Sequence, residues 1–218
     1  MATNKLRKLI GPEAGSKEPE KFVSVPKEVP VLPARDTVLF PHAVLPLTIG
    51  RESSIRLVQS LGEEKFLAIV AQRDSRVDDP QPPDLYETGT LAMVHKVIRM
   101  PNQSLFIFAE GLRRIRLVNC TQQTPFLRAE IEPLEEIEAA RTQEIEALER
   151  NIVSAFQQIV AASPNLSDEL QAIIMTIEGP GKIADFVAAA LAFLTTPQRQ
   201  ELLETLDIAG RLDLLNRH

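Results

Sequence analysis

The side chains best suited to chemistry are few in this sequence and stand far apart. The histidines are His42, His95 and His218, and the single cysteine is Cys120. A zinc site needs such residues clustered at short spacing, and a nucleophilic cysteine needs a histidine close to it. Neither pattern is present in the sequence. We therefore expect a structural role for His42, a buried or half-buried Cys120, and no catalytic, metal or cofactor site in this chain.

One segment partly matches a phosphate-binding loop, Gly179-Pro180-Gly181-Lys182. Such a loop needs Gly-x-x-x-x-Gly-Lys followed by Ser or Thr, because the hydroxyl binds the magnesium ion. Here Thr176 stands at the position of the first glycine and Ile183 at that of the hydroxyl. The preceding residues also have the period of a helix rather than a strand. The segment therefore predicts a loop between two helices, without nucleotide binding.

A short strand near the middle of the chain is apolar on both of its predicted faces. Leu105 and Ile107 would point to one side, and Phe106 and Phe108 to the other. A sheet with one wet face normally alternates polar and apolar residues. The second face is therefore either covered by a helix or by the second domain, or it shows aromatic surface to a partner.

The second alternative defines a candidate partner-binding patch. Pro46, near the crossover, could border the two rings, and Met100 at the adjoining turn offers an adaptable contact. The patch predicted from the sequence consists of Pro46, Met100, Phe106 and Phe108. Three arginines follow it and would form either its rim or a solvated face: Arg113, Arg114 and Arg116.

The elements that must position this patch are short strands. Prolines interrupt the first of them, so that the segment reads as two strands joined by a stiff crossover. A short helix follows, capped by Ser53 or Ser54 and ended by Gly62. The pattern predicts a small, closed or nearly closed antiparallel β domain. Its predicted strands are Val29–Leu32, Leu45–Ile49, Phe66–Ala71, Thr88–Met100, Ser104–Glu110, Leu112–Cys120 and Phe126–Ile131.

From about Glu135 the apolar period changes from 2 to 3.6, which is typical of helices. A long first helix would carry the acidic run Glu135–Glu149 on its solvated face, and a later one would carry Asp185 on its polar side. Thr196 and Asp207 are the expected caps of two further helices. The pattern predicts an all-α bundle that continues beyond residue 218 in the natural protein.

Several motifs of the β region resemble, in order and in spacing, the opening of the amino-terminal domain of Lon proteases. They are Leu32–Pro41, Leu45-Pro-Leu47, Gly50–Ile55, Ala71–Asp74, Asp79-Pro80, Asp84–Tyr86, Gly89–Ala92 and Glu110–Arg114. The resemblance implies a PUA-like fold for residues 28–134. The polar composition of residues 1–27 predicts a flexible tail before it, and the helical bundle at 135–218 follows it, so we expect an α+β protein. The positions that carry it are Pro33, Arg35, Asp36, Phe40, Pro41, Gly50, Arg51, Gly89 and Gly111.

This resemblance also implies a function. The region would select unfolded or misfolded protein substrates and support assembly of a homohexamer in the full-length protein. The ATPase domain, which would use ATP and Mg, and the Ser–Lys protease domain would lie downstream of residue 218. This chain would then be a non-catalytic part of an ATP-dependent serine protease that degrades misfolded and short-lived regulatory proteins.

Two other functions stay open. A stand-alone adaptor would carry the same domain without a protease. An RNA-binding module is a further alternative, because some PUA-like folds bind RNA, but the net charge of −6, the absence of Trp and the single Tyr argue against nucleic acid. The longest apolar run, Phe186–Leu194, is about half a membrane span, and no signal peptide is present. We therefore expect a cytoplasmic protein without a membrane partner.

Overall fold

The computed structural model describes residues 25–62, 65–164 and 166–218. Of the predicted flexible tail, residues 1–24 lie outside the described residues. The strands are β1 (Glu28–Ala34), β2 (Val44–Ile49), β3 (Phe66–Ala71), β4 (Thr88–Arg99), β5 (Leu105–Gln122) and β6 (Arg128–Pro133). The helices are α1 (Glu52–Ser60), α2 (Gln143–Ala162), α3 (Glu169–Ile174), α4 (Pro180–Ala190), α5 (Thr196–Glu204) and α6 (Ile208–Arg217). Strands with one short helix precede a set of helices, which confirms the α+β class.

The sheet closes on itself through its longest strand. Its order is β2-β5-β4-β3-β1-β6, and β5 also pairs with β6. Along one side of β5, residues 105–110 pair with β2 and residues 115–122 pair with β6, while β4 occupies the other side. The ring β5-β4-β3-β1-β6 is therefore closed, as predicted, and β2 lies outside it as an edge strand.

The sheet is mixed, because β1 and β3 run parallel. The prediction of a wholly antiparallel sheet was wrong for this pair. Between them the chain passes through β2 and α1, and α1 packs against β1. A crossover that contains a helix returns the next strand in the same direction, whereas a tight hairpin would reverse it.

One continuous strand, β5, replaces two predicted ones. The break was expected at Gly111, but that residue remains extended and pairs with Ala92. A glycine is needed here for another reason: a Cβ at this position would lie 2.2 Å from the backbone oxygen of Phe40. The glycine allows the crossover between β1 and β2 to pass directly over β5.

The β region and the helices share one hydrophobic core. Val38 and Phe40 of the crossover belong to the same buried cluster as Phe156 of α2 and Leu212 of α6. Phe40 is fully buried there. A second cluster fills the ring on the side of α1, around Leu67 and Ile107, and a third lies around Val29, Val70 and Ile115. The helices are therefore packed on the sheet through the proline-braced crossover.

Helix starts differ from the prediction at several caps. Arg51 precedes α1 and makes no side-chain cap, so neither Ser53 nor Ser54 has that role. The long helix α2 starts at Gln143 and not near Glu135, because the Thr142 hydroxyl caps it by accepting a bond from the Ile145 N–H at 3.3 Å.

The N-caps of α5 and α6 lie next to or at the predicted residues. The cap of α5 is Thr195, one residue before the predicted Thr196, and the Gln198 side chain reciprocates it in a capping box. The predicted cap Asp207 is confirmed and accepts a bond from the Gly210 N–H at 3.0 Å. Gly179 caps α4 with a φ of 100°, so Pro180–Lys182 belong to the helix and not to the predicted loop.

Candidate functional site

The two phenylalanines of the candidate patch lie on the outer side of β5. Leu105 and Ile107 point inward and are almost completely buried, as the alternation predicts. Phe106 and Phe108 point to the opposite side and are half-buried. Neither ring is part of the three buried clusters formed by the described residues. This face of the sheet therefore remains partly open.

The neighbouring strands extend the apolar surface on both sides of the rings. Pro46 of β2 lies opposite Phe108, and Ile98 of β4 lies opposite Phe106. The two rings contact each other edge to face, with centroids 5.2 Å apart and planes at 86°. We call these four residues, Pro46, Ile98, Phe106 and Phe108, the aromatic face. Three strands hold it in place, so its shape does not depend on a loop.

The predicted Met100 stands at the hairpin turn next to the aromatic face. Its side chain is 43% exposed, and its N–H donates to the Ser104 carbonyl at 2.9 Å, which closes the turn. Ile98 was missed from the sequence. Its place could have been found by counting back from the turn, since a turn at residues 101–103 pairs Ile98 with Phe106.

Polar groups border the aromatic face on both the β4 side and the β2 side. Lys96 lies opposite Phe108 and is exposed. At the adjacent bulge, the His95 Nε2 lies 2.5 Å from the Glu110 Oε2. Thr48 of β2 is exposed opposite Phe106. An apolar centre with such a polar border is the usual composition of a protein-binding surface.

The arginines that follow are not a rim around this surface. Arg114 is 2% exposed and lies inside the protein, which corrects the prediction of a rim or a solvated face. Arg113 pairs with the exposed Glu135 at 2.9 Å, and Arg116 is exposed. The alternation of β5 is interrupted near Gly111, where its register with β4 shifts. This irregularity could not be read from the residue types.

Arg114 belongs to a cluster of four charged side chains that joins β5 to the helices. Its guanidinium donates to both carboxylate oxygens of Asp185 on α4, at 2.6 and 2.8 Å, and to Glu136 at 2.7 Å. Arg211 of α6 donates to the same Asp185 at 3.0 Å and lies 2.7 Å from Glu136. We call these residues, Arg114, Glu136, Asp185 and Arg211, the ion cluster.

The cluster corrects two further predictions. Asp185 was expected on the polar side of its helix, but it is 3% exposed. Glu136 was assigned to the solvated face of the long helix, but it precedes that helix, and its side chain, 34% exposed, lies at the edge of the cluster. Two cations meet two carboxylates, so the buried charges are balanced. Such a group is tolerated in the interior only when it is paired and hydrogen-bonded in this way.

A backbone carbonyl accepts from the Nε of each guanidinium group, while the buried Arg211 Nη2, close to Glu136, makes no hydrogen bond among the described residues. The Arg114 Nε donates to the Leu203 carbonyl and the Arg211 Nε to the Thr205 carbonyl, each at 2.9 Å. Nearby, the Gln200 amide donates to the Thr88 carbonyl of β4 at 2.9 Å. These bonds make the contact between the sheet and the helices geometrically specific, in addition to the shared apolar core.

The residues of the resemblance motifs lie mainly around the crossover. The Thr90 hydroxyl donates to the Leu39 carbonyl at 2.5 Å and holds the segment on β4. A Cβ on Gly89 would lie 2.7 Å from the Ile69 backbone oxygen, so only glycine fits there. Gly50 has neither a positive φ nor a neighbour within 4 Å, and nothing in the structure requires a glycine at that position.

The other motif positions have identifiable contacts. Arg35 pairs with Asp78 at 2.6 Å, and Arg51 donates to Gln72 at 2.5 Å, so both bind the loop after β3. Asp36 adopts a positive φ of 50° at the start of the crossover. Pro33 lies within β1 and Pro41 is buried.

The residues considered for catalysis remain apart. Cys120 is exposed, which makes the prediction of a buried or half-buried cysteine wrong. It borders a cavity of about 450 Å³, and no histidine is among the described residues that line it. His42 has a positive φ of 63°, and its N–H donates to the Gly111 carbonyl at 2.7 Å. In the described ranges no three His, Cys, Asp or Glu side chains are grouped so that they could hold a metal ion.

No helix in the described part of the chain is both long and apolar enough to cross a membrane.

Comparison with known proteins identifies the family. A family model described as the ATP-dependent protease La (LON) substrate-binding domain matches residues 28–218. The chain is 57% identical over 192 residues to the Lon protease of Koribacter versatilis (strain Ellin345) and 38% identical over 189 residues to that of Dictyoglomus thermophilum. These matches cover 88% and 86% of the chain but 24% of each relative. The chain therefore spans about a quarter of the length of these curated relatives.

Solved structures agree with this result. The N-terminal domain of Mycobacterium avium complex Lon protease superposes with a TM-score of 0.66 at 26% identity, over 87% of this chain and 96% of that one. The Lon N-terminal domain protein from Xanthomonas campestris shares the fold, with a TM-score of 0.62 at 18% identity, over 86% of this chain and 96% of that one. The resemblance predicted from the motifs is confirmed: the chain belongs to the LON substrate-binding domain family.

Proposed function

We propose that this chain is the substrate-recognition and assembly region of a Lon-type ATP-dependent protease, and that it binds exposed apolar segments of unfolded polypeptides without taking part in catalysis. The observation that carries the proposal is the aromatic face. Two half-buried phenylalanine rings, flanked by Pro46 and Ile98, lie on a rigid sheet outside the buried clusters of the described residues. An exposed apolar surface with a polar border is typical of a protein-binding site.

The physical character of this surface suits a protein that accepts many substrates. Folded proteins bury most of their large apolar side chains, whereas unfolded chains expose them. Contacts with rings and aliphatic groups are non-directional and therefore require no particular sequence. Each contact would be weak, but several copies in one oligomer would raise the affinity through avidity.

The remaining parts of the proposal follow the family. The β domain, residues 28–134, would bind substrate, and the helical region, residues 135–218, would connect it to the rest of a homohexamer. The much greater length of the relatives supports additional domains, which would bind ATP and Mg and cleave the substrate in the cytoplasm. The substrates would be misfolded and short-lived regulatory proteins.

The test is a binding assay with a permanently unfolded polypeptide and with the same protein in its folded form. We expect the chain to bind only the unfolded form, and we expect Phe106→Ser and Phe108→Ser to weaken this binding at least about tenfold, since each removes one large apolar contact. Circular dichroism of each variant checks that the fold is retained.

Phe193→Ser is the matched control, because Phe193 is 57% exposed and lies in the turn between α4 and α5, away from the aromatic face. Its binding should equal that of the wild type. Equal losses in all three variants, or no binding of the unfolded form at high concentration, would show that the aromatic face is not the substrate site. Cleavage of the polypeptide by this chain alone would contradict the non-catalytic role.

A further inference from the structure

The edge of the sheet beside the aromatic face is open. Among the described residues, β2 pairs with β5 alone, because β5 turns to β6 beyond the region that pairs with β2. The closed ring therefore leaves one side of β2 without a neighbouring strand. Sheet edges of this kind expose unpaired backbone N–H and C=O groups, and natural proteins usually protect them with charged residues, bulges or prolines.

The protection of this edge is incomplete. The sequence of β2, Val-Leu-Pro-Leu-Thr-Ile, contains no charged residue, and Pro46 is its one protecting feature. Immediately before β2, the Gly111 N–H donates to the Ala43 carbonyl at 2.9 Å, and the Gly111 carbonyl accepts from the His42 N–H at 2.7 Å, so that the Ala43 carbonyl points toward β5. Bonded and non-bonded pairs alternate along an antiparallel ladder. The carbonyl groups of Val44, Pro46 and Thr48 and the N–H groups of Val44 and Thr48 therefore point to the open edge.

Apolar side chains flank this edge on both faces of the strand. On the outer face, Val44 is 45% exposed and Pro46 is exposed beside the aromatic rings. On the inner face, Leu45 and Leu47 are only partly buried against the cluster that contains α1. A strand added at this edge would place alternate side chains on these two faces and would cover both of them.

We propose that the open edge of β2 binds an extended segment of an unfolded polypeptide as an additional β-strand; this inference rests on the proposed function. The backbone bonds would supply affinity without regard to sequence, and the two apolar faces would favour segments with apolar side chains. A folded protein would not bind in this way, because its own secondary structure already pairs its backbone groups. The selection between folded and unfolded substrates would then depend on whether the substrate has backbone N–H and C=O groups free to bond with β2.

A second copy of this chain fits the edge less well. In a symmetric antiparallel pair of β2 strands centred on Pro46, two prolines would face each other, and neither has an N–H to donate. An incoming chain with an ordinary residue at this position can donate to the Pro46 carbonyl. In this register a different polypeptide completes the bonding and a second copy of the chain does not.

The experiment compares two short peptides with the same side chains, in which threonine alternates with phenylalanine and valine. One has ordinary amide bonds and the other is N-methylated at every residue, so that it cannot donate backbone hydrogen bonds. We expect the methylated peptide to bind the wild-type chain roughly a hundredfold more weakly, since donors to three carbonyl groups are lost. In the protein, Thr48→Pro removes an outward N–H and should weaken binding of the ordinary peptide roughly fivefold.

Thr48→Ser is the matched control, because it keeps both the N–H and the hydroxyl, and it should bind the ordinary peptide more tightly than Thr48→Pro does. Equal binding of both peptides to the wild-type chain would show that the strand-edge inference is wrong while the aromatic face remains the binding site. Failure of the chain to bind either the ordinary peptide or an unfolded protein would overturn the proposed function, and the inference with it. The peptide comparison uses the unaltered protein and therefore does not depend on the folding of Thr48→Pro.

Discussion

Replacing Asp185 by asparagine should strongly destabilise the protein. The carboxylate accepts bonds at 2.6, 2.8 and 3.0 Å from two guanidinium groups. The side chains are 4% exposed for Asp185, 1% for Arg114 and 0% for Arg211, so water cannot replace the lost charge. Only Glu136, at 34% exposure, would remain to balance two buried cations. Removal of one partner from a buried pair typically costs about 3–5 kcal/mol, and we expect Asp185→Asn to lower the free energy of unfolding by that amount.

The assay is equilibrium unfolding in urea, followed by circular dichroism, with two comparison variants. Glu136→Gln should cost about 1 kcal/mol, because its partly exposed position allows water to take over part of its role. Asp213→Asn removes a surface partner of Arg217 on α6 and should change stability by less than about 0.5 kcal/mol. If Asp185→Asn cost no more than Asp213→Asn, the ion cluster would not be the desolvated junction that the distances and burial indicate.

Three further predictions concern the backbone, a helix cap and an exposed carboxylate. Gly111→Ala places a Cβ 2.2 Å from the Phe40 carbonyl oxygen of the crossover and should lower the free energy of unfolding by at least about 2 kcal/mol, measured by thermal or urea unfolding. The control is Gly50→Ala, whose Cβ would meet no atom within 4 Å; it should be neutral or should stabilise the protein by up to about 1 kcal/mol. Thr195→Ala removes the cap of α5 and should cost about 1 kcal/mol in the same assay; no loss would contradict the capping role. Hydrogen bonds from the Arg76 side chain and backbone N–H lower the pKa of Asp74 from 3.8 to about 2. This folded-state value lies below the unfolded one, so the associated stabilisation is present above pH 4 and is lost as the pH falls through 2; an NMR titration of this carboxyl group with an ordinary midpoint would contradict it.

Local patterns predicted most of the individual elements. The continuous apolar run Phe66–Ala71 has the predicted bounds of β3, because both of its faces are covered and neighbouring residues are polar. The prolines around β2 and the alternation of Phe106 and Phe108 also gave the correct strand and the correct faces. These features depend on the side chains of a few adjacent residues, which the sequence shows directly.

Features that depend on distant residues could not be predicted. Arg114 and Asp185 are 71 residues apart, and each has the appearance of an ordinary surface charge within its own element. The pairing direction of β1 and β3 depends on the path of the crossover, and the continuity of β5 depends on the position of Phe40 above Gly111. For the candidate site, the sequence indicated which side chains share a face, but their degree of exposure depends on where the helices pack.

The ion cluster has a consequence for how such chains can be recombined. One might divide the protein between Pro133 and Gln143, where the sheet ends and the first long helix starts. That cut would separate Arg114 from Asp185 and Arg211, and it would fall in the segment that carries Glu136. A chimera that joins the sheet of this chain to the helices of a relative would therefore fold well only if both parents carried matching charges. In an exchange between homologous genes, the sheet and the helices should therefore be transferred together, although the two regions follow each other as separate segments of the chain.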